Sequence, residues 1–360
     1  MILCGTRPVF RAGRPGYQSA VTLAQPTTEP KLPHPRGPLS TTVIDLIAER
    51  APHGHLQRIE SSLGDADPYG LDLQLALAVC YELHYQGFAD VDPRWEWNAG
   101  LLHLRGRMED AFLAALRRDV APMGDDESVE AEMAKLSLEP TTGTGPTWHF
   151  LADGTWEQAQ EYFVHRSIYH LKEGDPHAWA IPRLRGRSKA AFVAVEFDEF
   201  GGGRPTELHQ VLYGDLLVAS GLDATYLGYL DYAVAETLVA VNVMSMFGLH
   251  RALRGAAVGH FAATEITSPS GSQRMVTALR QFGAPEAAVR FYAEHVEADA
   301  VHEQVVRTDV VGDLVAQHPA LERDVVFGMR AFDLVEERLG DHMVRCWNEG
   351  RTSLRRPLET

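Results

Sequence analysis

The nine residues EHVEADAVH, from Glu294 to His302, hold three acids and two histidines separated by small or β-branched apolar residues. On an α-helix each residue advances roughly 100°, so with His295 at zero Asp299 falls at about 40° and His302 at about −20°. Phe291, Ala298 and Val306 fall on the same side, while Glu294, Glu297 and Glu303 point elsewhere. A carboxylate and two imidazoles therefore lie on the apolar face, where an acid is costly unless something compensates it. A metal ion held by His295, Asp299 and His302 is one compensation. A hydrogen-bonded His–Asp–His cluster in a helix core is the other.

Composition narrows the metal. The 360 residues include three cysteines, Cys4, Cys80 and Cys346, with no CxxC pair and no disulfide framework. Any metal site must then use histidine and carboxylate, which favours iron, manganese or non-thiolate zinc. The same cysteine usage fits a reducing compartment, and we expect a cytoplasmic protein. A net charge of −16 disfavours nucleic acid or an anionic membrane as partners. The longest apolar stretch, 232–249, is interrupted by Glu236 and Asn242, so no transmembrane span is expected.

The elements that must position these residues read as helices almost throughout. Residues 1–40 hold 7 of the 20 prolines and a single acid, Glu29, which predicts a disordered or extended leader. Residues 41–140 form an N-terminal helical region that contains two Asp-Pro start signals, Asp67-Pro68 and Asp92-Pro93. The stretch EPTTGTGPTW marks a boundary, and residues 150–345 form a helical bundle. Within it the spacing predicts helices over about 155–172, 186–200, 204–220, 224–247 and 251–266, a short one ending at 283, and helices over about 286–306 and 321–347. The helix at 251–266 is expected to close at Ser268-Pro269, and Gly201-Gly202-Gly203 to break the chain sharply between 200 and 204.

More ligand candidates flank these breaks. Glu265 is an acid beyond Ala257, Val258, Phe261 and Ala262, either a metal ligand or a helix-end carboxylate that reaches solvent. Glu199 stands above Val195 and Phe192, and the next helix, restarted at Arg204-Pro205, presents His209, so the two could converge across the break; a glycine-rich surface turn is the alternative. The Glu-x-x-His repeat of four-helix diiron proteins is absent, since none of the 16 histidines has a glutamate three residues before it.

Taken together, Glu199–x9–His209, Glu265 and His295–x3–Asp299–x2–His302 resemble the ligand pattern of the heme-oxygenase-like diiron oxidases and oxygenases, the iron-containing redox enzymes. The stretches LKEGDPHAWAIPRLRG and EFDEFGGGRPTELH are similar to that family too, and the likeness covers about residues 150–345. It implies an all-α, heme-oxygenase-like bundle, here with an extra N-terminal helical region. It also implies two Fe(II) per chain, O₂ as co-substrate and a small-molecule substrate. Some N-oxygenating members carry a further carboxylate upstream, and Glu173 stands where it would fall. The outcomes the resemblance implies are N-oxygenation of an amine or oxidative C–C cleavage of an amino or fatty acid. An external electron donor and a homodimer are both compatible with it. Arg183, Arg187 and Lys189 are candidate clamps for a substrate carboxylate, or else a cationic surface patch. His165, His170 and His177 are expected on a helix surface or behind the ligands. The competing readings are a heme-binding or heme-degrading enzyme of the same fold, and a non-catalytic helical protein with a structural metal.

Overall fold

The computed structural model describes residues 29–50, 64, 66–138 and 141–358, and among them there is no strand. The N-terminal part contains α1 (Pro38–Ile47), α2 (Leu71–Glu82), α3 (Ala99–Asp119) and α4 (Val129–Leu136). The remainder contains α5 (Pro146–Ala152), α6 (Trp156–His170), the single turn α7 (Asp175–Ala178), α8 (Gly186–Glu199) and α9 (His209–Ala219). There follow α10 (Ala235–Leu249), α11 (Arg254–Gln281), α12 (Glu286–Val305), α13 (Asp313–Gln317) and α14 (Glu322–Asn348).

The packing centres on α11, which lies against both α12 and α14. Glycines set the closeness of the second contact. A Cβ on Gly259 would come 1.9 Å from the Val325 carbonyl oxygen, and one on Gly328 would come 2.1 Å from that of Ala256. The two backbones touch where each helix lacks a side chain. Helix α10 is apolar on every face, with an unbroken buried run from Thr237 to Gly248, as befits a helix enclosed on all sides. It packs between α2 and α14. Its one buried amide, Asn242, donates to both the carbonyl and the side-chain oxygen of Gln74 on α2, at 2.8 Å each. No helix among the described residues is long and apolar enough to cross a membrane.

Several elements differ from the sequence expectation. Residues 224–234 are turns and a 3-10 turn, not helix, and α10 begins at Ala235. Leu227 takes a positive φ of 55°, and Asp223 accepts from the Thr225 N–H at 2.8 Å, a local turn that competes with helix. Conversely, α11 does not close at Ser268-Pro269 but runs through to Gln281. The proline lacks an N–H for the carbonyl four residues back, that of Glu265. Tertiary packing carries the helix past that loss, and the hydroxyls of Thr264 and Thr267 bond the carbonyls of His260 and Ala263 around it. Helix α12 passes into a π-helical segment, Val306–Gly312, which lies against α8. Helix α1 starts at Pro38, earlier than the expected 41, because Asp72 on α2 accepts the N–H groups of Leu39 (2.9 Å) and Ser40 (2.8 Å). That cap comes from another helix and has no local signature. The expected leader falls mostly on residues 1–28, outside the described residues; Arg36 lies beyond them and pairs with Asp231 at 2.7 Å.

Candidate metal centre

Five elements deliver the ligand candidates. Glu173 lies in the turn after α6, just before Gly174, whose φ is 87°. Glu199 is the last residue of α8, at the buried end of the face formed by Phe192, Val195 and Glu196. The glycine break then reverses the chain. All three glycines have positive φ, and a Cβ on Gly201 would come 2.7 Å from the backbone at Glu207 and Leu208. The return places His209 at the first position of α9, with its Nδ1 2.7 Å from Glu199 Oε2. Glu265 projects from the middle of α11, and α12 presents His295 and His302. Asp299 stands between them on α12; its side chain lies outside the described residues.

These residues form two groups, each with ligand atoms within 4.8 Å of one another: Glu173, Glu199, His209 and His295, then Glu199, Glu265 and His302. All six are buried. His295 Nδ1 lies 2.8 Å from the Phe291 carbonyl, which fixes the proton on that nitrogen and leaves the Nε2 lone pair facing Glu173 Oε1 at 3.6 Å. His302 Nδ1 is 3.1 Å from Glu265 Oε2, and its Nε2 is 3.1 Å from Asp198 Oδ2. His170 supports the first group from behind, with Nδ1 2.8 Å from Glu173 Oε1.

The donor set fits iron. It is oxygen and imidazole nitrogen only, dry and convergent. Among the described residues no donor reaches Glu173 Oε2, a buried oxygen of the kind a cation completes. Burial pushes the Glu173 carboxyl up, but His170 and His295 outweigh it and hold it well below the usual range. Burial pushes the His209 imidazole down, and Glu199 outweighs that to raise it. Glu173 is thus poised to be ionised where the two imidazoles face it.

A cavity of about 390 Å³ opens from this centre. Glu173, Glu196, Glu199, Glu265 and His295 form its acidic end. Its wall also has an apolar part, with Ala240, Val241, Met244, Phe261 and Phe332. Also in the wall, Arg166 makes a two-pronged pair with Glu336, at 2.8 and 2.5 Å.

Some expected residues are elsewhere. Arg183 bonds the backbone carbonyls of Trp179 and Leu249, Arg187 faces Asp309 on the exterior, and neither they nor Lys189 line the cavity. The basic residues that do line it, Arg166 and Arg274, carry no local signature beyond an arginine among helical residues. His165 and His177 are not on a helix surface. His165 is buried against Thr237 and Ser353, and His177 Nε2 sits 3.2 Å from His260 Nδ1 in the cavity wall. Burial pushes all three of these imidazoles, His165, His177 and His260, down to about 3. Sequence reading also passed over Glu196, although its place one turn before Glu199, beside Phe192 and Val195, is the i, i+3, i+4, i+7 spacing of a buried face.

The family model of the iron-containing redox enzymes matches residues 160–337, which include every candidate ligand from Glu173 to His302. A comparison with curated proteins finds no match.

Proposed function

Since the chain belongs to the iron-containing redox enzymes over residues 160–337, we propose that it is a non-heme diiron oxidase or oxygenase that uses O₂ to oxidise a small metabolite. The observation that carries this reading is the pair of ligand groups joined at Glu199. Glu173, Glu199, His209 and His295 would hold one ferrous ion; Glu199, Glu265 and His302, joined by Asp299 as the helical spacing of the sequence suggests, would hold the other. Bound there, the two ions supply the electrons that reduce O₂ and the oxidising power that acts on the substrate.

The protein supplies the rest. His295 is oriented by the Phe291 carbonyl and Glu173 by His170, so the ligands stand ready before metal arrives. The apolar side chains of the cavity wall disfavour water near the centre, and the cavity's volume suits a small metabolite. N-oxygenation of an amine and oxidative C–C cleavage of an amino or fatty acid are the reactions we put forward. A heme reading fares worse, since four carboxyl groups face the space a porphyrin would need to find apolar.

The test is anaerobic titration with ferrous ion, followed by O₂ addition. We expect close to two irons per chain and iron-dependent O₂ consumption. A stoichiometry that stays at one under saturation sinks the dinuclear centre, and a Soret band on adding hemin instead favours the heme reading.

A further inference from the structure

Glu196 is a buried acid that the metal does not account for. Its side chain lines the cavity, the residue is 2 % exposed, and among the described residues no donor reaches either carboxylate oxygen. It belongs to neither ligand group. Gly174 leaves room for it: a Cβ there would come 3.2 Å from Glu196 Oε2.

Charge makes the point sharper. Glu173, Glu199, Glu265 and Asp299 bring four negative charges, which match the four positive charges of two ferrous ions when the histidines are neutral. Glu196 is left over. Arg166, a basic side chain of the cavity wall, is engaged with Glu336. An unmatched buried carboxylate is unfavourable unless it acquires a proton or a cationic partner.

We propose that Glu196 is a substrate-contacting specificity residue that receives a positively charged nitrogen, an ammonium or guanidinium, at the metal end of the cavity. Neither of its buried oxygens meets a donor among the described residues, so one carboxylate can take two hydrogen bonds from the same cation. The apolar stretch beyond it accommodates an aliphatic chain. The proposal rests on reading this cavity as the substrate site, and it selects a cationic substrate over a fatty acid.

The test compares n-butylammonium with its neutral isostere 1-butanol by titration calorimetry at pH 7.5, on anaerobic ferrous-loaded and on iron-free protein. We expect the wild-type chain to bind the amine at least about tenfold tighter, a difference of about 1.4 kcal/mol. Glu196→Gln should abolish that preference while binding as much iron as the wild type. Glu196→Asp, which keeps the charge, should retain most of it, and covers the case in which the glutamine variant fails to fold. Equal affinity of the wild type for both probes overturns the proposal, as does a preference that survives in Glu196→Gln. Loss of iron in that variant also overturns it, because Glu196 is then a ligand. If the wild type takes up no iron, the diiron reading falls, and the amine preference of the iron-free variants still decides the role of Glu196.

Discussion

Glu199 is the described residue common to both ligand groups, so its loss should be felt at both iron positions. Glu199→Gln is expected to bind less than one ferrous ion per chain, while Glu265→Gln keeps one, because only the second group includes Glu265. Anaerobic iron titration of the two variants checks this; equal stoichiometries would mean that Glu199 does not join the groups. On α12 the helical stripe separates two acids that composition cannot. Asp299→Ala should cut iron binding and abolish O₂ consumption, whereas Glu297→Ala, at roughly 200° from His295, should do little. Away from the metal, His177 and His260 give a pH signature. Burial holds each imidazole at about 3, against about 6.5 in the unfolded chain. Below pH 6.5 the unfolded state therefore binds protons that the folded state cannot, and stability falls as pH falls towards 3, by about 1.4 kcal/mol per pH unit for each group. Nothing is lost above 6.5. His260→Gln removes one such group, so the slope of unfolding free energy between pH 4 and 6 in urea should shrink by about that amount; an unchanged slope would show that His260 is protonated in the fold. That these side chains would gather in one place was legible because helical spacing and acids on apolar faces leave marks in sequence. The His177–His260 contact left none, since it joins residues 83 apart.

At the scale of elements, the glycine break converts sequence neighbours into a site. Gly201 combines a φ of 71° with a position where a Cβ would press on the backbone at Glu207 and Leu208 at 2.7 Å. Gly201→Ala should cost about 1–2 kcal/mol for the left-handed conformation, plus the displacement of that backbone. The displaced segment leads into His209, so iron affinity should drop by more than helicity does. Ferrous titration beside far-UV circular dichroism measures the two; an iron affinity that is unchanged would make the break a mere surface turn. A cluster of three glycines announces such a turn in sequence, and the helices on either side were readable with it. The continuation of α11 through Pro269 was not. Proline ends a helix by local rules, and what overrides them is packing against α12 and α14, including the backbone contact at Gly259 and Gly328. The π-helical turn after His302 was equally invisible, because periodicity near 3.6 reads through a single widened turn.

Across the whole molecule, the N-terminal helices reach the candidate site through one buried ion pair. Lys172, adjacent to Glu173, places its ammonium 3.0 Å from Glu82 Oε2 on α2 and 4.6 Å from the centre of the Tyr85 ring. The other oxygen of Glu82 accepts from the Tyr226 hydroxyl at 2.8 Å. Both charged side chains are almost fully enclosed, at 5 % and 2 % exposure. Sequence alone gave these helices no role, since the partners are 90 residues apart and each looks like a helix-surface charge. In a dry site the pair matters most when it is broken. Glu82→Leu strands the lysine and Lys172→Met strands the glutamate, and each should cost about 3–5 kcal/mol. The double variant leaves no buried charge, so its loss should fall short of the sum of the singles by about 2 kcal/mol or more. Glu173 follows Lys172 in the same turn, so both single variants should also bind the first ferrous ion more weakly, and the double variant should recover part of that affinity. Urea unfolding and anaerobic iron titration on the four proteins of this cycle supply both readings. Additive stabilities would show that water reaches the pair, and an iron affinity indifferent to Glu82 would sever the N-terminal helices from the metal centre.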